Sequence, residues 1–248
     1  MNYSSLNHAI FALTALPDHA VILDIGCRDS SFLAGFVETF PGKIKKAIGV
    51  DQTDKGFGNY SYADPIELRV MDCGNGINFP DNTFDFVFSK DMFECVTDKK
   101  AFVHEIHRIL KPGGCVLCVN CDWDSIVYNG ADKTLITKAI HAYAETKQPW
   151  MDDLDSWIGR RMFGYFHVDG LFDDALSVHS VTETAYHEGM FGYDFSHHIG
   201  WLSEANTGAL SKEEFDAFIE NLNAASRDGS YLFVKPYYIY KGIKKLKD

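Results

Sequence analysis

The segment Val21-Ile22-Leu23-Asp24-Ile25-Gly26-Cys27 constrains this chain more than any other. Its apolar run reads as a buried strand that stops at an acid and a tight turn. A helix is expected to begin near Ser30-Ser31. A strand, turn and helix in that order bring main-chain N–H groups and a helix N-terminus to one point, which favours an anionic ligand group. One strand–helix–strand unit later, Ala47-Ile48-Gly49-Val50 ends in Asp51. An acid at the tip of a second strand can accept both hydroxyls of a ribose. The two segments together predict a nucleoside cofactor.

Further strands are expected at 67–71, 84–89 and 115–121. Between the last two, Phe102, Val103, Ile106 and Ile109 recur at a helical period, and Pro112-Gly113-Gly114 ends the helix. Strands alternating with helices predict an α/β fold with a doubly wound, parallel sheet. After about residue 122 the chain becomes rich in aromatic residues, with helices expected over 134–146 and 153–166. A strand over 176–186, a helix over 211–225 opened by the capping box Ser211 to Glu214, and a last strand over 231–240 follow. Pro236 confines that last strand to an edge or bulged position. There is no internal repeat or low-complexity linker. The 248 residues are therefore read as a single domain, with an N-terminal helical cap over about 1–20 and a helical, substrate-side insertion over about 123–170, between strands five and six.

The formal net charge of -12 disfavours phosphate backbones and anionic lipid, so neither nucleic acid nor a membrane surface is expected as a partner. The basic residues of 241–247 read as a solvated tail. No segment approaches the roughly 20 apolar residues of a membrane span. Cys115, Cys118 and Cys121 share a spacing of three. On a strand such residues face alternately, so they cannot share an ion, and no metal is expected. With six cysteines read as buried free thiols, a reducing compartment, the cytoplasm, is expected.

Four segments resemble the class I S-adenosylmethionine-dependent methyltransferases, in particular the small-molecule branch that includes the ubiquinone and menaquinone C-methyltransferases. They are Val21 to Cys27; Ile48-Gly49-Val50-Asp51; Phe79-Pro80-Asp81-Asn82-Thr83-Phe84-Asp85-Phe86-Val87; and His107-Arg108-Ile109-Leu110-Lys111-Pro112-Gly113-Gly114. The resemblance covers about residues 20–121 and implies a seven-stranded, mostly parallel Rossmann-like methyltransferase sheet with one antiparallel strand. S-adenosyl-L-methionine is the implied cofactor. Asp24 would orient the first loop beside the cofactor's amino group, and Gly26 would admit its methionine part. Asp51 would hold the ribose, and Gln52, Asp72 and Cys73 the adenine. Ser89 and Lys90 would line the methionine end. Cys27 and Arg28 lie in the same loop, and Arg28 is a candidate for the cofactor carboxylate. The family usually continues this loop as Gly-x-Gly, where this chain has Arg28, Asp29 and Ser30.

Methyl transfer is an in-line displacement that needs alignment, exclusion of water and management of one proton. No fixed catalytic motif is expected. Candidate acids or bases are His187, His197, His198 and Asp91. Candidate substrate residues are Tyr3, Asp91, Phe93, Trp123 and Arg161, with Glu94, Asp122 and Asp124 beside them. Acids among aromatics suit a cationic or amine substrate; capping roles for Asp122 and Asp124, and solvated-face roles for the histidines and Arg161, are the plainer readings. The expected activity is methylation of a small-molecule nitrogen or oxygen, in specialised metabolism, with homo-oligomerisation left open. The alternatives are an NAD-dependent oxidoreductase, which the first loop disfavours by lacking a glycine trio, and a non-catalytic protein that keeps the fold for binding. Methylation of protein or nucleic acid is disfavoured by charge.

Overall fold

The computed structural model describes residues 4–57, 64–205 and 207–246. The strands are β1 (Ala20–Ile25), β2 (Ile44–Asp51), β3 (Ile66–Val70), β4 (Phe84–Lys90), β5 (Leu110–Cys121), β6 (Val127–Tyr128), β7 (Phe172–Glu183) and β8 (Phe233–Lys244). The helices are α1 (Ser4–Ala12), α2 (Ser31–Thr39), α3 (Lys99–Ile109), α4 (Lys133–Glu145), α5 (Ile158–His167), α6 (Phe191–His198), α7 (Trp201–Glu204) and α8 (Lys212–Asp228). The sheet runs β3-β2-β1-β4-β5-β8, with β7 on the far side of β8. The strands from β1 to β5 are parallel, and β8 is antiparallel to β5 and to β7.

Successive residues of the central strands enter opposite cores, because side chains alternate across a pleated sheet. Ile22, Phe86, Phe88 and Leu117 join one apolar cluster with α1, α2, α6 and α8. Leu23, Val87, Val116 and Cys118 join the other with α3 and α5. Both faces are covered, which explains the unbroken apolar runs that predicted parallel strands. Cys115 and Cys121 belong to the first cluster and Cys118 to the second, as the alternation requires. All six cysteines are free thiols, and Cys95 is the one among them that is not fully buried.

Side-chain caps set the starts of two helices. Asp98 caps α3 by accepting from the Ala101 N–H at 2.9 Å. The Ser211–Glu214 capping box opens α8. Leu6 and Ile10 of α1 are fully buried, and Phe11 meets Phe36 edge-on at 5.5 Å, so α1 packs on the domain.

Two expectations need correction. The sheet has eight strands rather than seven, because the two-residue β6 pairs with the start of β8. In addition, β8 is an interior strand, although it contains Pro236. Its pairing with β5 stops at Tyr237 opposite Cys121, and its pairing with β6 begins at Val234. Pro236 falls in the gap between those two, where one flank has no ladder to complete. Among the described residues, no helix is long and apolar enough to cross a membrane.

Candidate functional site at the strand ends

The carboxyl ends of β1, β2 and β3 lie side by side and carry Asp24, Asp51 and, just past β3, Asp72. The ladder extends through the turn: Gly26 N–H and Cys27 N–H both donate to the Val50 carbonyl, and Met71 N–H to that of Asp51. Gly26 has φ +77°, and a Cβ there would lie 2.9 Å from Met92 Cγ. Glycine is required on both counts. Arg28 and Ser30, which stand where the family carries glycines, also have positive φ, +48° and +60°. The loop therefore keeps a left-handed backbone without glycine, at a cost of about 1–2 kcal/mol per residue. Asp91, past β4, is left-handed too, at +49°. Strained backbone of this kind collects at functional sites.

Asp51 ties the loop together. Its Oδ2 accepts from the Arg28 N–H at 3.0 Å and its Oδ1 from the Thr53 N–H at 3.2 Å. A cavity of about 330 Å³ opens there, lined by Arg28, Asp29, Asp51, Thr53, Lys55 and Gly56. Gln52 donates to the Trp150 carbonyl at 3.2 Å, which draws the segment after α4 across the strand ends. Asp72 caps a 3-10 turn, accepting from the Gly74 N–H at 3.0 Å and from Asn75 at 2.6 Å. The Cys27 and Cys73 thiols are each pushed up to about 12, by burial first and by neighbouring carboxylates second, so neither is a nucleophile. Asp24 is pushed up to about 7 by burial, with Lys90 opposing and Asp51 adding to the shift. Ser89 is fully buried between β1 and β5, and its hydroxyl has no hydrogen-bond partner. An orphaned hydroxyl, a glycine that admits close approach and an acid on each of three neighbouring strand ends fit an adenosyl cofactor with an ammonium group.

The ends of β4 and β5 carry a second group of residues. Lys90 Nζ lies 2.7 Å from Asp91 Oδ2, and Asp91 Oδ1 accepts from the Cys121 N–H at 3.2 Å. Burial works to raise Asp91, but Lys90, Lys235 and that N–H hold it below its ordinary value. Glu94 is fully buried, accepts from the Asn120 amide, and is pushed up to about 8 by burial and by the charge of Asp91. The Trp123 indole N–H is buried without a hydrogen-bond partner.

The family model of the methyltransferase domain matches residues 23–118. Those residues match the pattern of a methyltransferase domain. The chain is 28% identical over 122 residues to the 2-methyl-6-phytyl-1,4-hydroquinone methyltransferase of Synechocystis sp., which covers 45% of this chain and 35% of that protein. It is 29% identical over 133 residues to the ubiquinone/menaquinone biosynthesis C-methyltransferase UbiE of Stenotrophomonas maltophilia, covering 46% and 53%. The chain thus spans about half the length, or less, of these curated relatives. Its fold matches Haemonchus contortus phosphoethanolamine N-methyltransferase 2, solved in complex with S-adenosyl-L-methionine, with a TM-score of 0.56 at 16% identity, covering 98% of this chain and 53% of that one.

Within the matched region, the structure gathers Asp24, Gly26, Cys27, Arg28, Asp51, Gln52, Asp72, Cys73, Ser89 and Lys90 around the strand ends, with Asp91 and Trp123 beside them. Other candidates are placed elsewhere. Phe93 is fully buried in the core, stacked on Phe102 at 5.7 Å and tilted against Phe166 at 5.4 Å. Arg161 pairs with Asp155 at 2.8 Å and lines a separate surface depression with Lys99 and Asp153. His187 is exposed and bonds the Glu188 carbonyl, and His197 is exposed on the Tyr193 ring. Of the three histidines only His198 feels the site: partial burial, then Arg28 and Lys235, hold its imidazole below the ordinary value. Tyr3 lies outside the described residues.

The acids read as partners for a cationic substrate are engaged by the protein itself. Asp122 is clamped by Arg160, with Nε at 2.7 Å from its Oδ2. Asp124 accepts from the Trp157 indole at 3.1 Å and faces His141 at 3.3 Å. Asp91 holds Lys90. Sequence reasoning passed over Asn120 and Lys235, which no local pattern links to Glu94 and Asp91.

The elevated Asp24 and Glu94 predict a pH dependence of stability. Their ordinary values are 3.8 and 4.5, and their folded values about 7 and about 8. Between these limits the folded state holds protons that the unfolded state releases, so stability falls as pH rises from about 5 to 8 and levels off above. Urea midpoints should decline by a few kcal/mol equivalent over that window, and Glu94→Gln, which mimics the protonated acid, should flatten the decline. A midpoint that rises from pH 5 to 8 would contradict the assignment.

Proposed function

We propose that this chain transfers the methyl group of S-adenosyl-L-methionine to a nitrogen or oxygen of a small molecule, as an enzyme of specialised metabolism. The observation that carries the reading is the row of acids at three adjacent strand ends, with the partnerless Ser89 hydroxyl on the neighbouring strand, in a region that matches a methyltransferase domain. When bound, the cofactor supplies an electrophilic methyl on a positively charged sulfur.

The residues of this chain then have distinct tasks. Asp24, poised near neutrality, would receive the cofactor's ammonium and ionise against it. Asp51 would accept the ribose hydroxyls, and Gln52, Asp72 and the Cys73 main chain would frame the adenine. Ser89 would donate to the methionine end, and Arg28 would reach its carboxylate. On the acceptor side, Asp91 stays ionised and holds Lys90 in place, while Glu94 stays protonated and keeps its O–H as a hydrogen-bond donor. The aromatic wall of half-buried Trp123 with buried Tyr143 and Phe195 would exclude water.

Calorimetric titration of the purified chain with S-adenosylhomocysteine tests the reading. Binding in the micromolar range is expected, with none for NAD. Binding of NAD instead, or of neither, would refute it.

A further inference from the structure

Lys235 of β8 is 2% exposed. Its ammonium lies over four aromatic rings, 4.2 Å from the centroid of Trp123, 4.9 Å from Phe191, 5.0 Å from Tyr237 and 5.3 Å from Phe195. Among the described residues no carboxylate comes within ion-pair distance of it. The two buried acids nearby are already engaged, Asp91 by Lys90 and the Cys121 N–H, and Glu94 by Asn120. The Trp123 ring over which Lys235 sits also carries the partnerless indole N–H. The Lys235 ammonium and the Trp123 indole N–H therefore share one aromatic cage, in which the ammonium has no ion pair and the indole N–H faces the Glu94 carboxyl without reaching hydrogen-bond geometry.

Cation–π contacts recover only part of the several kcal/mol that burying an ammonium costs. An anion would recover the rest. A cationic substrate gains nothing here, because the cage already holds a cation that the strand backbone fixes in place. At neutral pH the local charge is two ammoniums, Lys90 and Lys235, against one ionised carboxylate, Asp91, since Glu94 is protonated. The surplus is one positive charge.

We propose that the methyl acceptor is a small anion, and that its carboxylate or phenolate oxygen binds the Lys235 ammonium and the Trp123 indole N–H. The proposal rests on the methyl-transfer reading and narrows it from any nitrogen or oxygen acceptor to acidic ones. It also reverses the preference for amines that the acids at 91, 122 and 124 suggest in the sequence. Lys235 is here a specificity residue rather than a proton carrier.

The test uses benzoate, phenol and benzylamine as probes on the full chain, with and without S-adenosylhomocysteine. Binding is read by calorimetry and by the fluorescence of the cage tryptophan. Benzoate or phenol should bind and benzylamine should not. Lys235→Met should weaken the acidic probe by about tenfold or more while leaving S-adenosylhomocysteine affinity within about twofold. Methionine suits an aromatic cage, so this variant should fold. Trp123→Phe keeps a ring but removes the N–H, and should weaken the same probe several-fold. Preferential binding of benzylamine, no binding of either acidic probe, or unchanged acidic-probe affinity in Lys235→Met would overturn the proposal. Failure of S-adenosylhomocysteine to bind, with the acidic probe still held through Lys235, would instead strike the methyl-transfer reading alone.

Discussion

Asp51→Ala lowers the affinity for S-adenosylhomocysteine by about a hundredfold or more. A carboxylate at the tip of β2 that accepts two ribose hydroxyls makes two charge-assisted hydrogen bonds, each contributing about 1.5–3 kcal/mol, and the loss of both spans at least two decades in Kd. The same carboxylate accepts from the Arg28 and Thr53 N–H groups, so the variant also loosens the first loop. Asp51→Asn separates the two effects. It keeps an acceptor for the loop but loses the charge, and should fall between wild type and Asp51→Ala. Calorimetry checks the order. Equal affinity in all three would remove Asp51 from the site.

Asp122→Ala destabilises the fold by about 1.5–3 kcal/mol, because a buried carboxylate with charge-assisted hydrogen bonds is lost while the half-exposed Arg160 returns to water, and lowers the melting temperature by roughly 5 °C. The Asp122 side chain is 0% exposed. It accepts from Arg160 Nε at 2.7 Å, from the Arg160 main-chain N–H at 3.1 Å and from Ser125 at 2.7 Å. The main-chain bond lies in the first turn of α5, where an anion is favoured by the helix dipole. Gly159 lets α5 approach this closely; a Cβ there would lie 2.6 Å from Tyr238 and 2.8 Å from Asp122. Asp122 therefore anchors α5 to the ends of β5 and β8. Thermal unfolding and S-adenosylhomocysteine titration together give the check. Loss of stability with cofactor affinity retained is expected. Unchanged stability with lost methyl transfer would make Asp122 a substrate residue instead.

These two acids also show how far the sequence could be read. Asp51 was legible because its role is local: an apolar run, a strand tip and an acid suffice to place it. The sheet was legible for the same reason, since β1, β2, β4 and β5 are apolar runs buried on both faces. Asp122 was not, because its partner Arg160 lies on a helix well removed in sequence. Glu94 with Asn120, and Lys235 with Trp123, are likewise pairs made by topology, from strands and turns that meet only after β8 inserts beside β5. The aromatic richness after residue 122 was visible, yet aromatics among acids look the same whether the cation they enclose is a substrate or the chain's own lysine. Phe93 lies in the loop past β4, as pocket residues do, and packs inward because α3 and α5 close over it. Arg28 and Ser30 hold left-handed backbone that the sequence marks only where glycine is present.

The most direct test of the account is a crystal structure of the chain with S-adenosylhomocysteine. The ribose hydroxyls should lie about 3 Å from the Asp51 carboxylate, with the adenine between Gln52 and Asp72 and the amino group near Asp24. A ligand bound away from the ends of β1, β2 and β3, with Asp51 still turned onto the Arg28 and Thr53 N–H groups alone, would contradict it.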